Sequence, residues 1–309
     1  MKVTVIIPAY RRPVDLERCL NALKRQKVQP EEIIVTVRDF DEECQTVVKQ
    51  YSGLISNLQL VIVTGVGQIH AWKKGFEHST GEIISFLDDD SEPLEDWIEQ
   101  IIKHFAKSNC AGVSGYTPNI DENGKEIYIR GKVVGKLFWY GKFLGNFHEY
   151  YPKVIKIDSL RGANMTFRRK FIESNFKFKL KGREYKNDTA LSFEVVKRGG
   201  YLEYNPLIKV RHHIGRQFIN KGREPSNEEQ YANSYNNTLI ILKYKSYLTF
   251  FTYLFFSILV GQNDAPGVLR MLKAIADGWF IYVGFFVYSF FAKFIAVYNY
   301  AFNDIRKDD

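Results

Sequence analysis

The chain has 309 residues, of which 45% are hydrophobic and 25% charged, as in an ordinary globular protein, and it shows no internal repeat or low-complexity tract. The net charge of +8 favours an anionic partner such as nucleic acid, an acidic membrane face or a phosphorylated substrate. The three scattered cysteines show no CxxC spacing, which excludes a disulfide framework or a zinc site and predicts a reducing, cytosolic compartment.

Strand and helix patterns alternate over the first 110 residues. A β-rich run at 3–8 ends at a proline, and apolar residues at helical spacing follow over 13–26. Three more strand–helix pairs come next, and the last of them begins with GEIISFLDDD. This alternation predicts an α/β fold with a mostly parallel sheet and helices on both faces. In such sheets ligands bind at the C-terminal ends of the strands.

Three consecutive aspartates, Asp88, Asp89 and Asp90, follow the fourth predicted strand. Their carboxylates repel one another, and strand packing does not require them. Hard carboxylates on a rigid scaffold suit a divalent cation, which could clamp a diphosphate leaving group. The alternative is a solvated acidic turn before the N-terminus of the next helix.

The regular alternation ends near residue 111. Residues 111–155 are rich in Gly, Tyr and Lys and predict short strands and a mobile loop. A second coherent block runs from Ile157 to His213. We expect a catalytic domain over 1–235, with a nucleotide-binding half at 1–110 and an acceptor-binding half at 111–235.

The C-terminal region, 236–309, contains two strongly apolar and aromatic segments at 247–261 and 279–300. The first is too short to cross a bilayer, and the second is long enough but is interrupted by Lys293. We expect hydrophobic helices that contact a membrane, because Tyr and Trp favour the headgroup interface. A pair of ordinary buried helices is the alternative. The flanking cations that could meet anionic lipid are Lys243, Lys245, Arg270 and Lys273.

Four segments follow one another along the chain, and their order and spacing are informative: IIPAYRRPVDLERCLNALKRQ, TGEIISFLDDDSEPLEDWIE, RGANMTFRR and NDTALSFEVVKRGGYLEYNPLIKVRHH. Together they resemble the family 2 glycosyltransferases over roughly residues 1–215. The resemblance implies the GT-A fold, inverting transfer of a sugar from a UDP-, GDP- or dTDP-sugar, and Mg²⁺ or Mn²⁺ as cofactor.

The resemblance also implies a role at each matching position. Nucleotide-sugar binding is expected at Pro8, Ala9, Tyr10, Arg12, Asp39, Lys73, Asp88 and Asp89. Contact with the donor sugar and acceptor is expected at Gly162, Ala163 and Asn164. Metal binding is expected at Asp90 and His212. The general base is expected at Asp188.

A carboxylate base beside the acceptor and a metal beside the leaving group suffice for inverting transfer without a covalent intermediate. Each assignment has a plainer alternative. Asp188 could cap the following helix, and His212 or His213 could be a surface histidine at a strand end. Asn164 could satisfy backbone groups in a turn.

The sequence departs from the family pattern at several positions. Asn187 stands before Asp188 where the family usually has Glu, and Glu184 is a candidate to supply that charge. Thr36 and Val37 stand where the second strand often ends in two aspartates, so base identity is open. Candidates to take over that contact are Arg38, Asp39 and Asp41.

A lysine pair, Lys73 and Lys74, replaces the usual Arg-Asn pair. No QxxRW motif follows His213, which argues against a processive polysaccharide synthase.

We therefore expect a glycosyltransferase at the cytoplasmic face of the membrane, acting on a lipid-linked or cell-surface glycan precursor. A nucleotidyltransferase is less suited, because the first strand lacks a Gly-rich phosphate loop. An inactive, membrane-tethered nucleotide-sugar-binding protein is the other alternative, and the apolar segments also permit a homo-oligomer. A nucleic-acid binder is disfavoured, because the positive charge is spread among acidic residues.

Overall fold

The structure is a computed structural model that describes residues 1–121, 123–172, 179–213, 226–262 and 265–302. Internal contacts divide the described chain into two units. The first unit takes residues 1–136, 144–172 and 191–213, and the second takes 137–143, 179–190 and 226–302. The domain boundary expected after residue 235 stays a prediction.

The strands, in chain order, are β1 (Val3–Ala9), β2 (Glu32–Arg38), β3 (Leu58–Val63), β4 (Ile83–Phe86), β5 (Ser91–Pro93), β6 (Gly112–Gly115), β7 (Asn119–Ile120), β8 (Lys136–Leu137), β9 (Phe143–Leu144), β10 (Ile155–Ile157), β11 (Met165–Arg168), β12 (Leu202–Asn205), β13 (Val210–His213), β14 (Gly261–Gln262) and β15 (Ala265–Pro266). The helices are α1 (Pro13–Lys24), α2 (Glu42–Ser52), α3 (Gln68–His78), α4 (Trp97–Lys107), α5 (Asn187–Lys197), α6 (Asn227–Tyr244), α7 (Tyr247–Leu259), α8 (Val268–Ala276) and α9 (Ile281–Phe302).

An eight-stranded sheet forms the centre of the first unit, in the order β10-β12-β6-β11-β4-β1-β2-β3. Strands β4, β1, β2 and β3 are parallel, as the strand–helix alternation predicts. Strand β11 lies antiparallel between β4 and β6, which the alternation does not predict. The predicted fold class, α/β with a mostly parallel central sheet, is confirmed.

Helix α1 shows why the local pattern is informative. Pro13 occupies its first turn, where a proline costs no hydrogen bond. The side chains of Leu16, Cys19, Leu20 and Leu23 recur at helical spacing, and all four are buried. Burying each leucine contributes about 1.5–3 kcal/mol, which holds the helix on the sheet.

A smaller three-stranded sheet, β5-β13-β7, positions the acidic cluster. Strand β5 begins directly after Asp90 and pairs antiparallel with β13, so that Ser91 lies opposite His212. Strand β13 also pairs in parallel with β7. Two segments more than 100 residues apart in the chain therefore bring Asp90 and His212 together.

The second unit contains α6, α7, α8 and α9. Helix α9 packs beside α6, and their shared core includes Tyr235, Leu239, Ala292 and Ala296. Helix α7 packs on the end of α6 through Ile241, Phe250 and Tyr253. Among the described helices, α9 alone is long and apolar enough to cross a membrane.

Candidate active site

The aspartates after β4 are largely withdrawn from solvent. Asp89 is fully buried and Asp90 is 6% exposed, whereas Asp88 is half-buried. A solvated acidic turn would leave its carboxylates in water, so this alternative does not describe Asp89 or Asp90. Buried carboxylates require a counter-charge or hydrogen-bond donors.

Arg12 supplies the counter-charge for two of them. Its guanidinium forms ion pairs with both Asp89 and Asp90, and Nε donates to Oδ2 of Asp89 at 3.2 Å. The backbone N–H of Tyr10 donates to the same oxygen at 3.1 Å. Burial lowers the pKa of Arg12, but the neighbouring carboxylates raise that pKa by more. Burial raises the pKa of Asp89. The guanidinium of Arg12 nevertheless stays charged and contacts both carboxylate oxygens of Asp89, so we assign Asp89 as its ionised counter-ion.

The third group at the cluster is an imidazole. His212 Nε2 lies 3.3 Å from Oδ1 of Asp90, and one potential ligand atom each from Asp88, Asp90 and His212 lie within 4.8 Å of one another. Oδ1 of Asp90 is buried and accepts no hydrogen bond of good geometry. A carboxylate oxygen beside an imidazole and a second carboxylate fits a divalent cation with oxygen and nitrogen ligands.

Two further side chains orient this group, and the sequence did not single them out. Gln68 Nε2 donates to Oδ1 of Asp88 at 3.0 Å. Arg161 Nη2 lies 3.2 Å from Nδ1 of His212 and can only donate to it. Because Nδ1 of His212 accepts this hydrogen bond, its imidazole is assigned the tautomer with the proton on Nε2, and Nε2 faces Asp90. Metal binding through Nε2 therefore requires Arg161 to release Nδ1.

The carboxylates differ in proton affinity. Burial raises the pKa of Asp88 to about 6, and the neighbouring Asp90 adds to this shift. Burial also acts to raise the pKa of Asp90, but the contacts with His212 and Arg12 outweigh it, so that the pKa of Asp90 is lowered. Asp90 is therefore the stronger candidate to hold a cation across the neutral pH range.

The second histidine has a different partner. His213 Nε2 lies 2.9 Å from Oε2 of Glu92, and this contact lowers the pKa of Glu92. The resemblance assigns the metal-binding role to His212, with a surface histidine at the strand end as the alternative. The structure brings His212, not His213, to the side chain of Asp90.

An aromatic and cationic surface lies where β1 and β2 end. The exposed rings of Tyr10 and Phe40 meet edge to face, with centroids 6.2 Å apart. The Arg11 guanidinium lies over both rings, and that of Arg38 lies 4.8 Å from the Phe40 centroid. Arg11 has φ 52°, a left-handed conformation that is uncommon for arginine. Such a surface can stack a planar ring.

The predicted residues around this surface have different surroundings. Pro8 and Ala9 end β1, and Asp39 is exposed with Oδ1 3.8 Å from Nε of Arg38. Lys73 lies on α3, 3.9 Å from a carboxylate oxygen of Glu77. Their contacts with a nucleotide sugar stay predictions.

The turn Gly162–Asn164 contacts the start of β5, because Ser91 Oγ donates to the carbonyl oxygen of Ala163 at 3.2 Å. The side chain of Asn164 is fully buried. Its amide accepts from Trp97 Nε1 at 3.1 Å and donates to the carbonyl oxygen of Ile208 at 2.9 Å. These contacts fix the turn, and a sugar contact at Asn164 stays a prediction.

Asp188 lies in the second unit, at the start of α5. Its Oδ1 accepts from the backbone N–H of Thr189 at 2.7 Å, and Asn187 Oδ1 accepts from the backbone N–H of Asp188 at 2.8 Å. Glu184 and Lys186, just before it, both have positive φ. Backbone strain of this kind is found where a loop holds functional groups.

A second group of potential metal ligands, His104, Cys110 and Glu203, is explained by its own hydrogen bonds. His104 Nε2 lies 3.0 Å from Glu203, and Asn205 Nδ2 lies 3.1 Å from His104 Nδ1. A neutral imidazole with one donor and one acceptor satisfies both contacts. Burial raises the pKa of Cys110 to about 12, so its thiol is a poor ligand.

Comparisons with known proteins identify the family of this chain. A family model described as Glycosyl transferase family 2 matches residues 4–176. Glycosyltransferase AglE of Haloferax volcanii is 29% identical over 125 residues, which cover 40% of this chain and 41% of that relative. GalNAc(5)-diNAcBac-PP-undecaprenol beta-1,3-glucosyltransferase of Campylobacter jejuni is 24% identical over 160 residues, which cover 49% of this chain and 52% of that relative. The chain spans about half or less of these relatives.

Among solved structures, the mannosyltransferase PcManGT from Pyrobaculum calidifontis in complex with GDP-Man and Mn²⁺ has a TM-score of 0.54. It is 13% identical, and the match covers 98% of this chain and 87% of that chain. At this identity the likeness shows the fold alone.

Proposed function

Since the chain belongs to glycosyl transferase family 2 and has the GT-A fold, we propose that it transfers one sugar from a nucleotide-sugar donor to an acceptor hydroxyl, with inversion. The observation that carries this proposal is the group formed by Asp88, Asp90 and His212, whose potential ligand atoms lie within 4.8 Å of one another. Two carboxylates and an imidazole gathered this closely can hold a divalent cation.

Mg²⁺ or Mn²⁺ would be held by Asp90 and His212 with Asp88 nearby, and it would supply charge neutralisation for the diphosphate leaving group. In this proposal Asp88 and Asp89 contribute to binding of the nucleotide-sugar donor. Arg12 keeps the buried carboxylates ionised and in place. When the donor diphosphate binds, it offers Arg161 an acceptor in exchange for His212 Nδ1.

Asp188 is the proposed general base. It takes the proton of the acceptor hydroxyl as that oxygen forms a bond to the anomeric carbon. The bond from the anomeric carbon to the diphosphate oxygen breaks, and the nucleoside diphosphate leaves with the electron pair. Neither a covalent intermediate nor a redox cofactor is needed for this step.

The ring surface at Tyr10 and Phe40 is the proposed base subsite, with Pro8, Ala9 and Asp39 beside it. Lys73 is the proposed additional phosphate contact. Donor-sugar and acceptor contacts are assigned to the turn at 162–164. Stacking between rings and guanidinium groups tolerates any base, so it does not choose among UDP-, GDP- and dTDP-sugars.

A lipid-linked or cell-surface glycan precursor is the proposed acceptor, at the cytoplasmic face of the membrane. Two observations support it: the apolar segments over 247–300, and the name of the Campylobacter jejuni relative, which states an undecaprenol-linked acceptor. Nucleic acid is not part of the proposal.

The test is turnover and donor binding in Asp90→Asn, with Asp96→Asn as the matched control outside the cluster. We expect Asp90→Asn and EDTA treatment to abolish transfer, while Asp96→Asn retains it. A thermal-shift series of UDP-, GDP- and dTDP-sugars with Mn²⁺ identifies the donor. Donor binding without any turnover in the wild-type protein would instead indicate a nucleotide-sugar-binding protein. Full turnover in Asp90→Asn would refute the metal role.

A further inference from the structure

Two helices of the second unit each present an apolar stripe to solvent. On α7 the stripe consists of Leu248, Phe251, Phe255 and Leu259. On α9 it consists of Val287, Phe291, Phe294 and Tyr298. We call these eight side chains the apolar face. Its most exposed phenylalanine, Phe255, is 72% accessible, and a row of exposed apolar side chains along a helix marks an interaction surface.

The opposite side of α9 is fixed inside the unit. Lys293 is 2% exposed, and its ammonium group donates to Ser234 Oγ at 3.0 Å and to Ser289 Oγ at 2.8 Å. Farther along, Asn299 Nδ2 donates to the hydroxyl oxygen of Tyr235 at 3.0 Å. Helix α9 therefore lies alongside α6 and has one inner and one outer side.

The partner helix is unsuited to hydrocarbon. Helix α6 carries Glu228 and Glu229 in its first turn, and its buried side includes Gln230 and Asn233. Asn236 also binds the irregular backbone of the loop at 181–185. A bilayer core offers no partner for the carboxylate of Glu228, which is exposed. If α9 crossed a membrane, α6 beside it would bring this carboxylate toward the lipid.

The charges near the apolar face fit an anionic headgroup layer. From residue 243 to residue 302 the sequence has five cations, Lys243, Lys245, Arg270, Lys273 and Lys293. Its acidic residues in that range are Asp264 and Asp277. Lys273 is exposed on α8, and a basic excess beside an apolar surface favours anionic lipid.

Exposed tryptophans accompany the face. Trp279, just before α9, is 63% exposed, and Trp139, at the tip between β8 and β9, is 73% exposed. The tip is held on α7, because Thr252 Oγ1 donates to the carbonyl oxygen of Trp139 at 3.0 Å. Gly141 has φ 78°, and a Cβ there would lie 2.5 Å from Tyr253. Tryptophan favours the boundary between headgroups and hydrocarbon.

We infer that the second unit binds the surface of an anionic phospholipid bilayer from one side only. The apolar face and the two tryptophans enter the headgroup boundary, and α9 lies in the plane of the membrane instead of crossing it. This inference rests on the proposed function only in placing the acceptor at a membrane. The second unit would bind the membrane as interfacial amphipathic helices do, with its apolar side chains partly embedded and its polar groups in water.

The binding test uses the full chain and vesicles of phosphatidylcholine with or without phosphatidylglycerol. We expect the wild-type protein to float with the anionic vesicles and to bind the neutral ones less. The double variant Phe255→Glu, Phe291→Glu should lose flotation, and Leu54→Glu, on an exposed residue of the first unit, should retain it. A double variant that still floats would overturn the inference.

The topology test uses single cysteines at the two ends of α9, in Asp277→Cys and Ala301→Cys, because the native cysteines are buried. Protein is added to preformed vesicles and treated with a membrane-impermeant maleimide. Both variants should be modified from outside, with no increase when the vesicles are opened by detergent. Protection of one end until the vesicles are opened would show that α9 crosses.

A second copy of the chain is the rival occupant of the apolar face. In that case light scattering would show a dimer of the wild-type protein without lipid and a monomer of the double variant. Vesicles would bind neither the wild-type protein nor the double variant. This result would also overturn the inference. Donor thermal shifts in the double variant confirm its fold. Failure of vesicle binding is thus separable from failure of transfer in Asp90→Asn.

Discussion

The side-chain amide of Asn236 donates a hydrogen bond of 2.8 Å to the carbonyl oxygen of Tyr185. The same amide accepts from the backbone N–H of Lys181 at 2.8 Å and donates to the carbonyl oxygen of Lys181 at 3.1 Å. Tyr185 adds a bond from its hydroxyl to Glu229 at 2.7 Å. One buried asparagine on α6 therefore fixes the loop that leads to Asp188.

Asn236→Ala should lower sugar transfer roughly tenfold or more while leaving donor binding unchanged. The loop would no longer be fixed, and Asp188, the proposed general base, would lose its alignment with the acceptor hydroxyl. The unpaired backbone groups should also cost about 1–3 kcal/mol of the free energy of unfolding. Steady-state kinetics and donor thermal shifts measure the two effects. Asn237→Ala, on the neighbouring half-buried asparagine, is the matched control. A variant that is less stable but turns over normally would show that Asn236 serves the fold alone.

Arg12→Met should destabilise the protein by about 3–5 kcal/mol, because it leaves the carboxylates of Asp89 and Asp90 buried without their counter-charge. Arg12→Lys keeps one positive charge and should lose less. If a cation binds among these carboxylates, Mn²⁺ should raise the melting temperature of Arg12→Met more than that of the wild-type protein. Equal stabilisation of both proteins by Mn²⁺ would argue against a shared carboxylate site.

Phe40→Ala should weaken binding of the nucleotide donor by about 1–3 kcal/mol, which is the usual contribution of one base–aromatic stack. Phe40→Tyr retains a ring and should bind as the wild-type protein does. Titration calorimetry with the free nucleoside diphosphate measures this without turnover. Unchanged affinity in Phe40→Ala would move the base subsite away from the rings of Tyr10 and Phe40.

Much of the fold could be predicted because its signals are local. Helix α1 was predicted over 13–26 and is observed over Pro13–Lys24, since apolar spacing and Pro13 act within a few residues. Strand β11 could not be placed, because four residues carry little periodicity and its neighbours in the sheet lie far away in the chain. The observed β11 between β4 and β6 is a product of tertiary pairing.

The residues of the candidate site also divide into those that a local sequence pattern predicts and those that only the fold brings together. The cluster at 88–90 could be predicted, because three aspartates after a buried strand have few structural explanations. Gln68 and Arg161 were missed, since a polar residue acquires meaning only through the partner that the fold brings to it. Phe40 was missed because an aromatic residue after a strand gives no signal until a second ring and two guanidinium groups surround it.

Lys293 predicts a dependence of stability on pH. Burial lowers its pKa to about 7, whereas an unfolded chain keeps lysine near its ordinary value of about 10.4. Between these values the unfolded state binds more protons than the folded state, so the free energy of unfolding should rise with pH. The slope should reach about 1.4 kcal/mol per pH unit within that window.

Lys293→Met should remove this slope, because methionine fills the same space between Ser234 and Ser289 without a titrating group. Melting temperatures between roughly pH 7 and 9, in a mild detergent that covers the apolar face, measure the difference between the two proteins. Lys273→Met, at an exposed lysine of α8, is the matched control and should keep the wild-type slope. If Lys293→Met also keeps that slope, the buried amine is not its source, and the inner side of α9 is wetter than its contacts with α6 indicate.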